Sequence, residues 1–274
     1  MRANAVSLLA IFEKKMRLEV PLFQRQYVWS REHQWEPLWE DISRKFLEYV
    51  EGRKDAPPHF LGAMVLDQKQ TPVTHVEVRQ IIDGQQRLTT LQVFLASFRD
   101  FCREQQVEDL AKECDSFTLN RGMMLDPSSD RFKVWPTQLD RPHFMDVMSA
   151  GSRAELTRKY PLTRQRYARK DDPRPKIVEA YLFFDQEIRS FFLGANGEAP
   201  VGESGPIGAR LEECFQSLKN ALQVVAIDLE QDDDAQVIFE TLNARGEPLL
   251  PADLLRKGRR APGTAVSRVL AAIR

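Results

Sequence analysis

Apolar positions at helical spacing recur along the chain, interrupted by a few short runs of strand length. Residues 5–15 carry an amphipathic helical pattern, and Leu18 to Leu22 is a short extended run broken by Pro21. From Ser30 to Glu51 the apolar residues Trp35, Leu38, Trp39, Ile42, Phe46 and Tyr49 recur at helical spacing. Ser30 is placed to cap that helix, and Pro37 suits its first turn. Phe60–Leu66 and Val76–Ile82 read as strands joined by the polar turn DQKQTPVTH, so the pair predicts a hairpin. Asp83-Gly84 breaks the second strand. A long helix is predicted from about Gln85 to Arg103, with Leu88, Leu91, Leu95 and Phe98 on its apolar face.

The middle, 105–221, is mostly helical in pattern, with strong helices over 174–193 and 207–220. Between them the Gly/Pro-rich stretch 194–208 reads as a mobile loop. Leu222 to Leu229 is a third strand, and Asp232-Asp233-Asp234 opens a helix containing Ile238, Phe239 and Leu242. The pattern holds no internal repeat. It predicts an α+β fold in four parts: a mixed core over 1–104, a mainly helical region over 105–221, a strand-helix return over 222–257, and a basic tail over 258–274. The tail departs from the pattern before it, as a disordered terminus or a truncated chain would.

With 274 residues, 42% hydrophobic and 29% charged, the chain can bury a sizeable core. Lys+Arg 39 against Asp+Glu 40 gives a net charge of -1, so contact with nucleic acid must come from local patches. One such patch lies at 153–176, with nine Lys/Arg against three acids and two interleaved tyrosines. Its central cations are Arg164, Arg166, Arg169 and Lys170, and the alternative reading is a solvated helix face and linker. Cys102, Cys114 and Cys214 stand far apart, which argues against a disulfide framework or a zinc site. No run approaches the roughly 20 apolar residues of a membrane helix. The early charges exclude a secretory signal, and the cytoplasm is the expected compartment.

The stretch VEVRQIIDGQQRLTTLQVF, residues 76–94, carries the most chemistry. A strand ending at Asp83, a turn at Gly84 and a helix starting at Gln85 would aim free backbone N–H groups at one spot. The helix dipole favours phosphate there. Arg87, in the first turn, adds a permanent positive charge. Asp83 could hold a metal ion or orient a water, and Gln85 and Gln86 offer neutral donors and acceptors. The same pattern also fits Asp83 as a plain helix cap and Arg87 as a solvated residue.

Two further clusters stand out. In VPLFQRQYVWS, residues 20–30, Gln24 and Arg25 are candidates for phosphate or base contact, while Phe23, Tyr27 and Trp29 read better as core. In IFETLNARGEPLLPADLLRK, residues 238–257, the helix stops at Gly246, which leaves Asn243 and Arg245 on a loop.

Together, and in this order, PLFQRQYVW, HFLGAMVL (59–66), IIDGQQRLTTL (81–91) and FETLNARGEPLLPADLLR (239–256) resemble the N-terminal domain of GmrSD-type modification-dependent restriction proteins. The resemblance spans about residues 6–256. It implies a ParB/sulfiredoxin-like fold, with a small mixed sheet, flanking helices and a large helical insertion. It also implies a domain that binds and hydrolyses a nucleoside triphosphate, with Mg²⁺, in defence against foreign DNA. The hydrolysis motif carries over to Asp83, Gly84, Gln85, Gln86 and Arg87, with Asp83 as the metal residue. Nucleotide-binding roles carry over to Gln24, Arg25, Asn243, Arg245 and Gly246. DNA and a nuclease domain or subunit are the implied partners, no membrane is involved, and an oligomer is compatible with the reading. The four histidines (His33, His59, His75 and His143) are scattered without paired ligand spacing, so DNA cleavage by this chain alone is not expected. The competing reading is a DNA-binding module without turnover that uses the 153–176 patch.

Overall fold

The computed structural model describes residues 1–72, 75–162, 174–194, 205–230, 233–235, 237–238 and 241. The two apolar runs form strands β3 (His59–Gln68) and β4 (Glu77–Asp83), which pair antiparallel as a hairpin. Four more strands join them: β1 (Arg2–Ser7), β2 (Met16–Glu19), β5 (Val134–Trp135) and β6 (Leu222–Asp228). The sheet order is β1-β6-β3-β4-β2-β5. β6 runs parallel to β3, and β2 runs parallel to both β4 and β5, so the sheet is mixed and the fold is α+β.

Helices cover one sheet face: α2 (Glu36–Val50), α3 (Gln85–Glu104), α4 (Glu108–Thr118), α8 (Lys176–Leu193) and α9 (Ile207–Asn220). Shorter helices complete the described part: α1 (Ala10–Glu13), α5 (Pro127–Asp130), α6 (Arg141–Ser149) and α7 (Arg153–Lys159). Among the described residues, no helix is long and apolar enough to cross a membrane.

α3 is the centre of the molecule. The predicted one-sided apolar face understates it, because every residue from Leu88 to Cys102 is buried. The sheet lies on one side, and α4 and α8 pack on others. Burial of its polar residues requires partners. Arg99 pairs with Asp100 and Asp115, Tyr181 Oη donates to Asp100 at 2.8 Å, and Gln92 Nε2 donates to the Phe117 carbonyl at 3.0 Å. A smaller apolar cluster on Val65, Ile82, Ile227, Leu229 and Ile238 is separate from this core. Cys102, Cys114 and Cys214 are free and buried.

Two local expectations are corrected. The predicted helix over 5–15 is shortened: its first residues belong to β1, which pairs with β6, Val6 facing Val224, and only Ala10–Glu13 is helical. The partner lies far along the chain, so the pairing left no local periodicity. Helix 30–51 starts with one wide turn over Arg31–Trp35 before regular α-helix at Glu36. Ser30 does not cap it with its hydroxyl; its backbone N–H donates to Gln34 Oε1 at 2.9 Å.

Candidate functional site

β4 ends at Asp83, and Gly84 turns the chain at φ 92°, in the left-handed region that favours glycine. A Cβ on Gly84 would also stand 3.0 Å from Met64 Cβ on the neighbouring strand. The first helical bond runs from Leu88 N–H to the Gly84 carbonyl, 2.9 Å. The amides of Gln85, Gln86 and Arg87 therefore have no acceptor within the helix. No side chain caps this start, and Asp83 is exposed beside it rather than acting as the cap.

Arg87 leans back onto β3. Its Nη1 donates to the Ala63 carbonyl at 2.7 Å, and its guanidinium lies against Gly62. Gly62 has φ +100° and falls where the β3–β6 register shifts, between Phe60 and Ala63. A glycine inside a strand pattern signals such a bulge or close approach, and this was the one trace of the seat in the sequence. Burial lowers the Arg87 pKa and the Asp83 carboxylate opposes that shift. The group stays cationic, as a guanidinium does throughout the accessible range.

The segment 21–30 crosses in front of this corner, held by hydrogen bonds to backbone atoms. Gln24 is buried, and its Nε2 donates to the Ile81 and Ile82 carbonyls at 2.7 and 3.0 Å. Those two bonds fix the amide orientation and leave Oε1 as a buried acceptor with no partner among the described residues. Gln86 is buried with both amide atoms engaged: Oε1 accepts from Val28 N–H at 2.9 Å, and Nε2 donates to the Gln26 carbonyl at 3.0 Å. Gln85 is half-buried, and its Nε2 makes a longer bond, 3.3 Å, to the Arg25 carbonyl. Tyr27 is buried in a relay from Trp35 Nε1 to Tyr27 Oη to Thr90 Oγ1 to the Gln86 carbonyl, at 2.8, 2.6 and 2.8 Å. Burial is the main cause that pushes its phenol far above the ordinary range. Asp140 accepts from Tyr27 N–H at 2.8 Å, a tether no sequence pattern pointed to. Of the aromatics read as core, Tyr27 is buried and Trp29 half-buried, but Phe23 remains 41% exposed.

These side chains enclose an open cleft of about 180 Å³ lined by Gln24, Arg25, Trp29 and the run from Ile82 to Arg87. That is smaller than the roughly 300–1,000 Å³ of a typical organic-ligand site. The cleft has room for a phosphate chain. Its donors are the α3 start and two guanidinium groups; its acceptors are Asp83 and Gln24 Oε1. Among the described residues no three His, Cys, Asp or Glu side chains converge as a metal-ligand set. One carboxylate beside phosphate oxygens is nonetheless the usual way Mg²⁺ is held on a nucleotide, so the residues fit a phosphate-borne cation. Asn243, Arg245, Gly246, Arg164, Arg166, Arg169 and Lys170 lie outside the described residues.

Fold and cleft define an α+β domain with a small polar site at a strand-to-helix corner. The sequence matches the family model of the GmrSD restriction endonuclease N-terminal domain over residues 8–258, and the chain belongs to that family. It is thus a domain of a DNA-restriction system. No curated protein matches the chain.

Proposed function

We propose that the cleft at Gly84 binds the phosphate chain of a nucleoside triphosphate and hydrolyses it, and that this turnover regulates restriction of DNA by a nuclease domain or subunit. One observation carries the reading. An uncapped helix start of a 20-residue helix opens into a cleft that also holds two guanidinium groups and a carboxylate. The amides of Gln85, Gln86 and Arg87 and the positive end of the dipole favour phosphate oxygens. Arg87 supplies positive charge from a seat that costs no reorganisation during reaction. Asp83 would hold Mg²⁺, whose chemistry when bound is charge neutralisation between phosphate groups.

The two glutamines divide the remaining work. Gln86 has both amide atoms committed to the 26–28 backbone and serves as a positioning residue. Gln85, held by one weak bond, is the residue that orients the attacking water. The family resemblance adds Asn243, Arg245 and Gly246 as nucleotide contacts. Gln24 Oε1 is a buried acceptor suited to a donor on the nucleotide or on a cation-bound water.

The test is phosphate release by the purified chain with Mg²⁺ and each common nucleoside triphosphate, with nucleotide binding followed in parallel by thermal shift. Arg87→Ala is expected to slow release by on the order of 100-fold or more. Equal release by wild type and this variant would remove the site.

A further inference from the structure

Three segments distant in sequence meet away from the cleft. Lys15 Nζ donates to the Met123 carbonyl at 2.6 Å, and Lys133 Nζ donates to the Lys14 carbonyl at 2.7 Å. The Asn120 N–H donates to the Arg131 carbonyl at 2.7 Å, and Asn120 Nδ2 donates to the Met16 carbonyl at 2.9 Å. These bonds bring Lys14, Lys15, Arg121 and Arg131 to one surface, all of them exposed. None of the four makes an ion pair among the described residues. Elsewhere exposed cations are commonly neutralised, as Arg53 is by Glu51, Lys54 by Glu213 and Arg158 by Glu155. The nearby Asp126 carboxylate accepts from the Ser128 and Ser129 hydroxyls, which keep it anionic, so it offsets part of this charge and leaves the four cations in excess over it. In a chain of net charge -1, this is a local positive field assembled by folding.

Out of the same surface stand Met123, 90% exposed, and Leu125, 58% exposed. The Lys15 bond anchors the backbone of Met123, so its side chain projects from a fixed base. Cations around a short projecting apolar tip suit duplex DNA, where phosphates take the charge and an apolar side chain enters the minor groove between base steps. A membrane-surface element would need an amphipathic helix with a long apolar face. Here residues 121–125 are irregular and offer two side chains.

We infer that this surface is a DNA-docking face of the domain: Lys14, Lys15, Arg121 and Arg131 contact the phosphate backbone, and Met123, with Leu125, wedges into the minor groove. The inference rests on membership of a restriction family and is independent of the nucleotide reading.

Fluorescence anisotropy of the full chain on a labelled duplex of roughly 20–30 base pairs, between about 50 and 200 mM salt, tests it. Replacing Lys14, Arg121 and Arg131 together by Ala is expected to weaken binding and lower the salt slope by about one unit per cation removed. Arg121→Lys with Arg131→Lys is expected to keep the slope, and Arg53→Ala with Lys54→Ala to change nothing. Met123→Ala is expected to leave the slope intact and reduce duplex bending measured by end-to-end energy transfer. Thermal melting of each variant separates lost contacts from lost fold. A folded triple variant with the wild-type slope would overturn the docking face, as would wild-type binding to anionic vesicles as tight as to duplex. Unchanged bending with Met123→Ala would overturn the wedge.

Discussion

The Arg87 guanidinium lies on the backbone of Gly62: a Cβ there would come within 2.9 Å of Nη2 and 3.0 Å of Cζ. The absence of a side chain at one bulge of β3 thus determines where the cleft's half-buried cation sits. Gly62→Ala must strain a backbone at φ +100° and displace the guanidinium. Gly52, at φ +80° with nothing within 4 Å of its missing Cβ, is the matched control. Both variants are expected to lose about 1–2 kcal/mol to the left-handed conformation. Only Gly62→Ala is expected to lose phosphate release as well. Urea unfolding and a release assay on the pair separate the two effects.

Gln85 and Gln86 are neighbours with different duties, and their alanine variants should fail differently. Gln86→Ala strips acceptor and donor from the Val28 N–H and the Gln26 carbonyl. A loss of about 1–3 kcal/mol is expected, with faster amide exchange across residues 24–29. Gln85→Ala is expected to keep the melting temperature and the exchange pattern while lowering the turnover number. Equal exchange in both variants would mean that Gln86 does not hold the segment.

Tyr27→Phe removes the middle of the relay between Trp35, Thr90 and the Gln86 carbonyl. Trp35 Nε1 loses its acceptor in a buried setting, at a cost of about 1–3 kcal/mol. The indole emission of the variant is expected to shift along with the melting point. An unchanged melting point would show that the relay contributes nothing net.

Lys133 supplies a pH dependence. It is buried with Nζ bonded to the Lys14 carbonyl, and burial pushes its pKa down to about 8 from the ordinary 10.5. Between these values the unfolded chain holds the proton more than the folded chain does. Stability from this group therefore rises as pH increases from 8 to 10.5, and the charged form is penalised below 8. Denaturation midpoints of wild type and Lys133→Met across that window should converge as pH rises. A gap independent of pH would refute the assignment.

The hairpin, the turn at Asp83-Gly84, the start of α3 at Gln85 and the strand at Leu222 were all readable in the sequence. Each depends on interactions among residues a few positions apart, such as a glycine tolerating φ > 0 or an apolar residue repeating on one face. β1 was not readable, because its partner Val224 lies far along the chain from Val6. Nor was the full burial of α3, since Gln92, Arg99 and Asp100 find partners in Phe117, Met148 and Tyr181 from other helices and connections.

The candidate site divides along the same line. Local sequence determined a helix start with unpaired amides and a cation one turn in, because backbone sterics and the hydrogen-bond ladder act within a few residues. Tertiary structure alone decided that Gly62 seats Arg87, that Gln86 is tied to the crossing segment, and that Asp140 holds Tyr27. It alone gathered Lys14, Arg121 and Arg131 into one positive surface. Those relationships join residues the chain keeps far apart, and only the closing of the sheet and helical layer brings their atoms within reach.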